Sequence, residues 1–133
     1  MKAGEIRMRN MSFMLTTEQV RRKQKTVTRR NGWKNVRVGE VIRAVKKCMG
    51  LKKGERMEAL AIIRVVDKRR ERLSAMVGSY GEREIAREGF IHMQPSEFIQ
   101  MYCEHNKCRA SDVVTRIEFE YMSDGDQLQN AIV

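Results

Sequence analysis

Apolar and polar positions alternate most regularly near the end of the chain. There Val113, Thr115, Ile117, Phe119 and Tyr121 interleave with Val114, Arg116, Glu118 and Glu120. A period of two predicts a half-buried strand that closes a sheet. Residues 60–66 are the most apolar run and predict a buried strand. The charged stretch Lys68-Arg69-Arg70-Glu71-Arg72 follows it and reads as a solvated extension. Residues 41–48, apolar at Val41, Ile42 and Val45, predict a further strand. Residues 36–40 before it read as a short extended piece with a bend at Gly39. Near the start, Met11, Phe13 and Leu15 alternate with Ser12 and Met14, which predicts a short first strand. Lys25-Thr26-Val27-Thr28-Arg29-Arg30 predicts one more, because β-branched residues favour pleated backbone, and Asn31-Gly32 stops it.

Three short helices fall between these strands. Thr16 and Gln19 have capping-box spacing, predicting a helix of about two turns that follows Thr16 and runs through Val20 to about Lys23, with a basic last turn. Ser79 and Glu82 repeat that spacing and open a helix through Ile85 and Ala86, which Gly89 is placed to end. Glu88 then lies at the negative end of the helix dipole, where a carboxylate needs a cationic neighbour or a function. Pro95-Ser96-Glu97 makes a good first helical turn, followed by an apolar stripe of Phe98, Ile99 and Tyr102. Residues 49–55 form a glycine-punctuated connection, residues 1–5 read as loose, and residues 123–133 as a frayed tail. The pattern is α+β: a small curled sheet or barrel with helices outside, in a single domain over 1–133 with a core over 12–121.

Composition narrows the partners. Of 133 residues, 27 are Lys or Arg and 17 are Asp or Glu, a net charge of +10 that points to an anionic partner, nucleic acid foremost. No run of about eighteen apolar residues is present, so no membrane span is expected. Residues 1–10 lack the apolar core of a signal peptide, and a cytoplasmic location is expected. Three cysteines, an odd number, fit reduced thiols there. Cys103, His105 and Cys108 leave two readings open: the start of a zinc site completed by Cys48 or His92, or a reduced thiol pair at a helix end. Their spacing matches no standard finger or ribbon, and neither metal nor cofactor is expected.

The candidate chemistry lies in residues 23–33. Alternation puts Thr26, Thr28 and Arg30 on one face of the strand and Val27 and Arg29 on the other. Lys25 stands at the strand's entrance, where a turn can aim its amine at Thr28. A hydroxyl flanked by an amine and guanidinia suits an anionic, oxygen-rich ligand such as a nucleotide. The plainer reading is a solvated edge strand.

These residues also carry a resemblance. Lys25-Thr26-Val27-Thr28-Arg29-Arg30, the Gly39-Glu40 bend, Arg87-Glu88-Gly89-Phe90 and Thr115-Arg116-Ile117-Glu118-Phe119 together resemble the ASCH domain, in its bacterial and phage-borne branch. The resemblance covers residues 12–121. It implies a PUA-like β-barrel with flanking helices and RNA or other nucleic acid as partner. One bacterial branch of the family hydrolyses N4-acetylcytidine to cytidine and acetate. In the family pattern G-x-K-x-x-E-x-R, Lys25 and Arg30 match, Lys23 replaces the Gly, and Thr28 stands where Glu is common. The hydrolase branch has Thr there as well, and its triad of Lys, Thr and Glu falls on Lys25, Thr28 and Glu88. Residues 49–56 are an insert relative to that branch.

Three functions follow, with binding ranked first. As an RNA or modified-nucleoside module, the chain would use Lys23, Lys25, Arg29, Arg30 and Lys34 on phosphates, with Trp33 or Tyr80 stacked on a base. Trp33 can equally cap the core. As an amidohydrolase, it would use Thr28 as nucleophile, Lys25 as base, Glu88 to orient the amine or relay its proton, and Arg30 to hold an oxygen. As a metal-independent ribonuclease, it would turn the same Lys, Thr and Arg on a 2′-hydroxyl.

Overall fold

The structure, a computed structural model, describes residues 8–123. Five strands, β1 Arg9–Ser12, β2 Val27–Arg30, β3 Val41–Val45, β4 Ala59–Arg72 and β5 Val113–Tyr121, form one sheet in the order β1-β3-β4-β5-β2. The β1/β3 pair is parallel and the other pairs are antiparallel. Three helices, α1 Thr17–Arg21, α2 Gly78–Glu88 and α3 Pro95–Asn106, complete an α+β half-barrel. The expected loose segment 1–5 and all but the first residue of the expected tail 123–133 lie outside the described residues.

The curl comes from β4. Its first half pairs with β3, from Val45↔Ala59 to Val41↔Arg64, and its second half with β5, from Ile63↔Tyr121 to Arg72↔Val113. The register shifts between Val65 and Asp67, and a bulge of this kind bends and twists a strand. Two apolar cores result. Met11, Phe13, Ile42, Ile63, Ile117 and Phe119 fill the sheet's interior, with Val20 of α1 against them. Leu73, Met76, Ile85, Phe98, Tyr102 and Val114 form the other, under α2 and α3. Each such buried side chain contributes about 1.5–3 kcal/mol relative to leaving it exposed.

Several elements differ from the sequence expectation. Lys68 to Arg72 is a charged continuation of β4 whose Arg69, Arg70 and Arg72 are exposed, but it is no edge: its backbone pairs with β5, and that pairing does not depend on side-chain charge. On the other face of β5, Val114 and Arg116 are also buried, with α2 laying Glu84 over Arg116, while Glu118 and Glu120 remain more exposed. The first strand ends at Ser12, and a 3-10 turn over Met14–Thr16 follows. Thr16 precedes α1 without a capping hydrogen bond; Thr17 Oγ1 instead donates back to the Phe13 carbonyl at 2.9 Å. α2 begins at Gly78, so Ser79 lies inside its first turn and caps nothing. Residues 36–40 turn at Val38-Gly39, where the bend was expected, and are tied to β4 by the Gly39 N–H on the Val65 carbonyl. β3 stops at Val45, short of Cys48. Pro95 opens α3 as expected, where Glu97 accepts from the Gln94 N–H at 2.9 Å.

Candidate functional site

The approach to β2 is fixed by the end of α2. Lys23 turns the chain at φ 59, a left-handed conformation that glycine adopts most easily. The Gln24 and Lys25 N–H groups then both donate to the Gln19 carbonyl, and the Thr26 N–H donates to the Arg87 carbonyl. On the other side Gly89 ends α2 at φ 99. A Cβ at Gly89 would come within 2.9 Å of Gln19 Cγ, so the two segments meet closely at that point. Glu88, the last residue of α2, is therefore placed beside Lys25.

Both are buried, and Lys25 Nζ donates to Glu88 Oε1 at 2.6 Å and to the Glu88 carbonyl at 2.8 Å. The amine thus satisfies a helix-end carbonyl as well as a carboxylate. Burial pushes the Lys25 pKa down; Glu88 opposes this, while Arg30 and Arg29 add to it. The chain of charge continues inward. Arg29 Nη1 donates to Glu88 Oε2 at 3.0 Å, and Arg29 Nη2 to Glu84 Oε1 at 2.5 Å. Arg116 holds Glu84 from the far side, Nε to Oε1 at 2.5 Å and Nη2 to Oε2 at 3.1 Å. Five buried groups, Lys25, Glu88, Arg29, Glu84 and Arg116, alternate in sign. Burial alone would raise the Glu84 pKa, but the hydrogen bonds and charges of Arg116 and Arg29 outweigh it and hold it at about 2.

Arg30 stands apart from this chain. Its Nε donates to Thr28 Oγ1 at 3.0 Å, and its guanidinium lies 4.6 Å from the centre of the Phe13 ring. Among the described residues no carboxylate comes within ion-pair distance of it. Burial pushes its pKa down to about 10, which still leaves it charged at neutral pH.

These groups share one cavity of about 180 Å³. Lys25, Thr28, Arg29, Arg30 and Glu88 form its polar side; Phe13, Phe90 and Phe98 are on its apolar side, and His105 and Asn106 of α3 also line it. The volume lies below the roughly 300–1,000 Å³ of drug-sized ligand sites, so it suits one ring or a small polar group. Lys25 and Thr28, near neighbours in the chain, are thus brought together with Glu88, 63 positions from Lys25. No hydrogen bond joins Lys25 Nζ to Thr28 Oγ1, because the amine is taken up by Glu88.

The remaining candidates are distributed otherwise. Arg29 is turned inward between two carboxylates. Lys23 and Lys34 are exposed. Trp33 packs on the sheet core, with the Arg9 guanidinium 4.5 Å above its ring, and does not line the cavity. The Tyr80 hydroxyl is held by Glu71 at 2.8 Å. Cys103 and Cys108 lie with sulfurs 3.9 Å apart, and among the described residues no group of three His, Cys, Asp or Glu could hold a metal ion. Sequence reasoning missed Glu84 and Arg116. Glu84 was legible in one respect: it lies four residues before Glu88 and so shares its helix face.

No family model matches the sequence. No curated protein matches it either. Solved structures do. The ASCH domain from Lactobacillus crispatus superposes with a TM-score of 0.54 at 14% identity, over 86% of this chain and 79% of that one. The chain has the ASCH-type fold. An ASCH protein from Zymomonas mobilis, solved as a point mutant, gives a TM-score of 0.53 at 12% identity, over 92% of this chain and 78% of that one. A protein from Enterococcus faecalis assigned to the DUF984 family gives 0.59 at 14% identity, over 89% and 82%. At such identities the likeness carries the ASCH architecture alone.

Proposed function

We propose that the chain binds a single nucleoside or an unstacked RNA base in the cavity beside β2, with the surrounding basic surface taking phosphates. The observation that carries this is Arg30: a largely buried cation, without a carboxylate partner among the described residues, at the wall of a base-sized cavity. A charge left unpaired in the interior is costly, and an arginine fork matches carbonyl or phosphate oxygens. Thr28 Oγ1 accepts from Arg30, which leaves its hydroxyl proton free for a ligand acceptor. Phe13, Phe90 and Phe98 supply the apolar side that a base ring needs. Exposed Lys23 and Lys34 are available to phosphates, and the ASCH-type fold agrees with the nucleic-acid partner that the sequence resemblance implies.

Binding is favoured over the catalytic readings because the base-to-nucleophile contact they need is not made: Lys25 serves Glu88 rather than Thr28. The test is an NMR titration of the full chain with cytidine 5′-monophosphate and with a short single-stranded RNA at two salt concentrations. Expected are shifts centred on Thr28, Arg30 and His105, with RNA affinity falling as salt rises. Shifts confined to the outer surface, or none, would defeat the proposal. Incubation with N4-acetylcytidine, or with RNA followed by inspection of its ends, is expected to give no product.

A further inference from the structure

Cys103 and Cys108 sit at the end of α3, and the binding site makes no use of them. Cys103 lies in the last turn of the helix. Lys107, at φ 53, turns the chain back, and the Cys108 N–H donates to the Cys103 carbonyl at 3.1 Å. That turn brings the two sulfurs to 3.9 Å. Both thiols are half-buried, so small reagents reach them. Among the described residues, no further ligands of the kind a structural zinc site uses join the pair. Burial and the neighbouring Cys108 push the Cys103 thiol up, so what favours bridging here is the closeness of the two sulfurs and not an activated thiolate.

We propose that Cys103 and Cys108 form a reversible dithiol–disulfide pair, oxidised by low-molecular-weight disulfides, whose closure reshapes the end of α3 at the cavity wall. One protein thiolate attacks a sulfur of the small disulfide, forming a mixed disulfide and expelling one small thiolate. The second protein thiolate attacks the protein sulfur of that mixed disulfide, forming the Cys103–Cys108 bond and expelling the other small thiolate. The protein gives up two electrons and two protons, and the small disulfide leaves as two thiols.

The geometry links this reaction to the site. A disulfide needs its sulfurs about 2.0 Å apart, so the gap of 3.9 Å must close and the last turn of α3 must adjust. That turn carries His105 and Asn106, which line the cavity. The same stretch of helix holds Asn31: the Tyr102 hydroxyl donates to Asn31 Oδ1 at 2.8 Å, and Asn31 Nδ2 donates to the Asn106 carbonyl at 3.5 Å. Asn31 follows Arg30 directly, so a shift of the helix end reaches β2.

The experiment uses the full chain carrying Cys48→Ser, which removes the third thiol. The protein is equilibrated in buffers from fully reduced to fully oxidised glutathione and followed by intact mass and amide NMR. Expected is the loss of two hydrogens in mass, reversed by dithiothreitol, with amide shifts over residues 101–108 and at Asn31. Adding Cys103→Ser or Cys108→Ser should halt the reaction at the glutathione adduct. Uptake of glutathione without bridging, or resistance until urea unfolds the chain, would overturn the dithiol pair. A disulfide that forms and leaves Asn31 unmoved would overturn its link to the cavity. None of these readouts depends on what the cavity binds.

Discussion

Arg30→Met separates a ligand-binding role from a structural one, because the two predict different signs for stability. Burial pushes the Arg30 pKa down to about 10, well below the ordinary arginine value. At about 1.4 kcal/mol per pKa unit, holding the charged group there costs about 3 kcal/mol. Two contacts offset that cost. The hydrogen bond to Thr28 Oγ1 at 3.0 Å contributes about 1.5 kcal/mol, and the approach to the Phe13 ring at 4.6 Å about 1 kcal/mol. Methionine keeps an unbranched apolar body, forfeits both contacts and removes the desolvated charge. The sum is a change of about zero to 1 kcal/mol in favour of the variant, read by urea unfolding with Trp33 fluorescence as the signal. The same substitution deletes the charged donors facing the cavity, a loss of about 1.5–3 kcal/mol of binding, or about 10–100-fold in Kd for cytidine 5′-monophosphate. A variant less stable by more than about 1.5 kcal/mol would refute the reasoning, since the guanidinium would then be holding up the fold. An unchanged Kd would refute the placement of the ligand.

Other substitutions probe the scaffold around it. Glu84→Gln removes the carboxylate between Arg29 and Arg116 and is expected to cost about 3–5 kcal/mol in urea unfolding, against under about 1 kcal/mol if the buried chain of charge were incidental. Because Glu84 is held at about 2 in the fold, its contribution is complete above the ordinary carboxylate value of 4.5 and is lost as pH falls from 4.5 toward 2. Wild-type stability should decline through that window by about 2–3 kcal/mol more than that of Glu84→Gln, allowing for solvent screening. Lys23→Gly relieves a left-handed residue at φ 59 and should stabilise by about 0.5–1 kcal/mol; a loss in thermal midpoint would count against strain there. Gly89→Ala combines φ 99 with a Cβ 2.9 Å from Gln19 Cγ and should cost about 1–3 kcal/mol, with the Lys25–Glu88 contact disturbed in NMR spectra.

The sequence made local periodicity legible and left long-range pairing of charge hidden. Alternation placed β5 and the apolar part of β4, and it put Thr28 and Arg30 on one face of β2 because the side-chain period of a strand is fixed. Gly89 marked the end of α2 for an equally local reason, its left-handed backbone. Where the reading departed from the structure, the missing information was a partner distant in the chain. Lys68 to Arg72 carries the composition of solvent-exposed chain, yet β5 pairs with its backbone whatever the side chains are. Arg116 has the spacing of an outward residue, yet Glu84, 32 positions away, covers it. Thr16 and Gln19 have the spacing of a capping box, but spacing does not report that Thr17 bonds backwards instead. The bias of Glu88 toward a cationic neighbour was readable from its place at a helix end, whereas the identity of those neighbours, Lys25 and Arg29, came only with the fold.

The balance of buried charge bears on what the cavity accepts. Four buried or largely buried cations, Lys25, Arg29, Arg30 and Arg116, face two fully buried carboxylates, Glu84 and Glu88. Arg116 also reaches Glu118 at 3.4 Å and Asp67 at 3.6 Å, and Arg29 reaches Glu71 at 3.7 Å, all on more exposed ground, which accounts for one of the two excess charges. The other resides on Arg30, at the cavity wall. A ligand that delivers one negative charge to that point completes the pairing, while a neutral ligand offers only a carbonyl dipole. Charge-assisted hydrogen bonds are roughly twice as strong as neutral ones, so the phosphate-bearing nucleotide should bind more tightly than the free nucleoside if its phosphate is what meets Arg30. Should cytidine and its monophosphate bind alike, and both lose affinity in Arg30→Met, the guanidinium must instead read the base, with phosphates left to the exposed lysines outside.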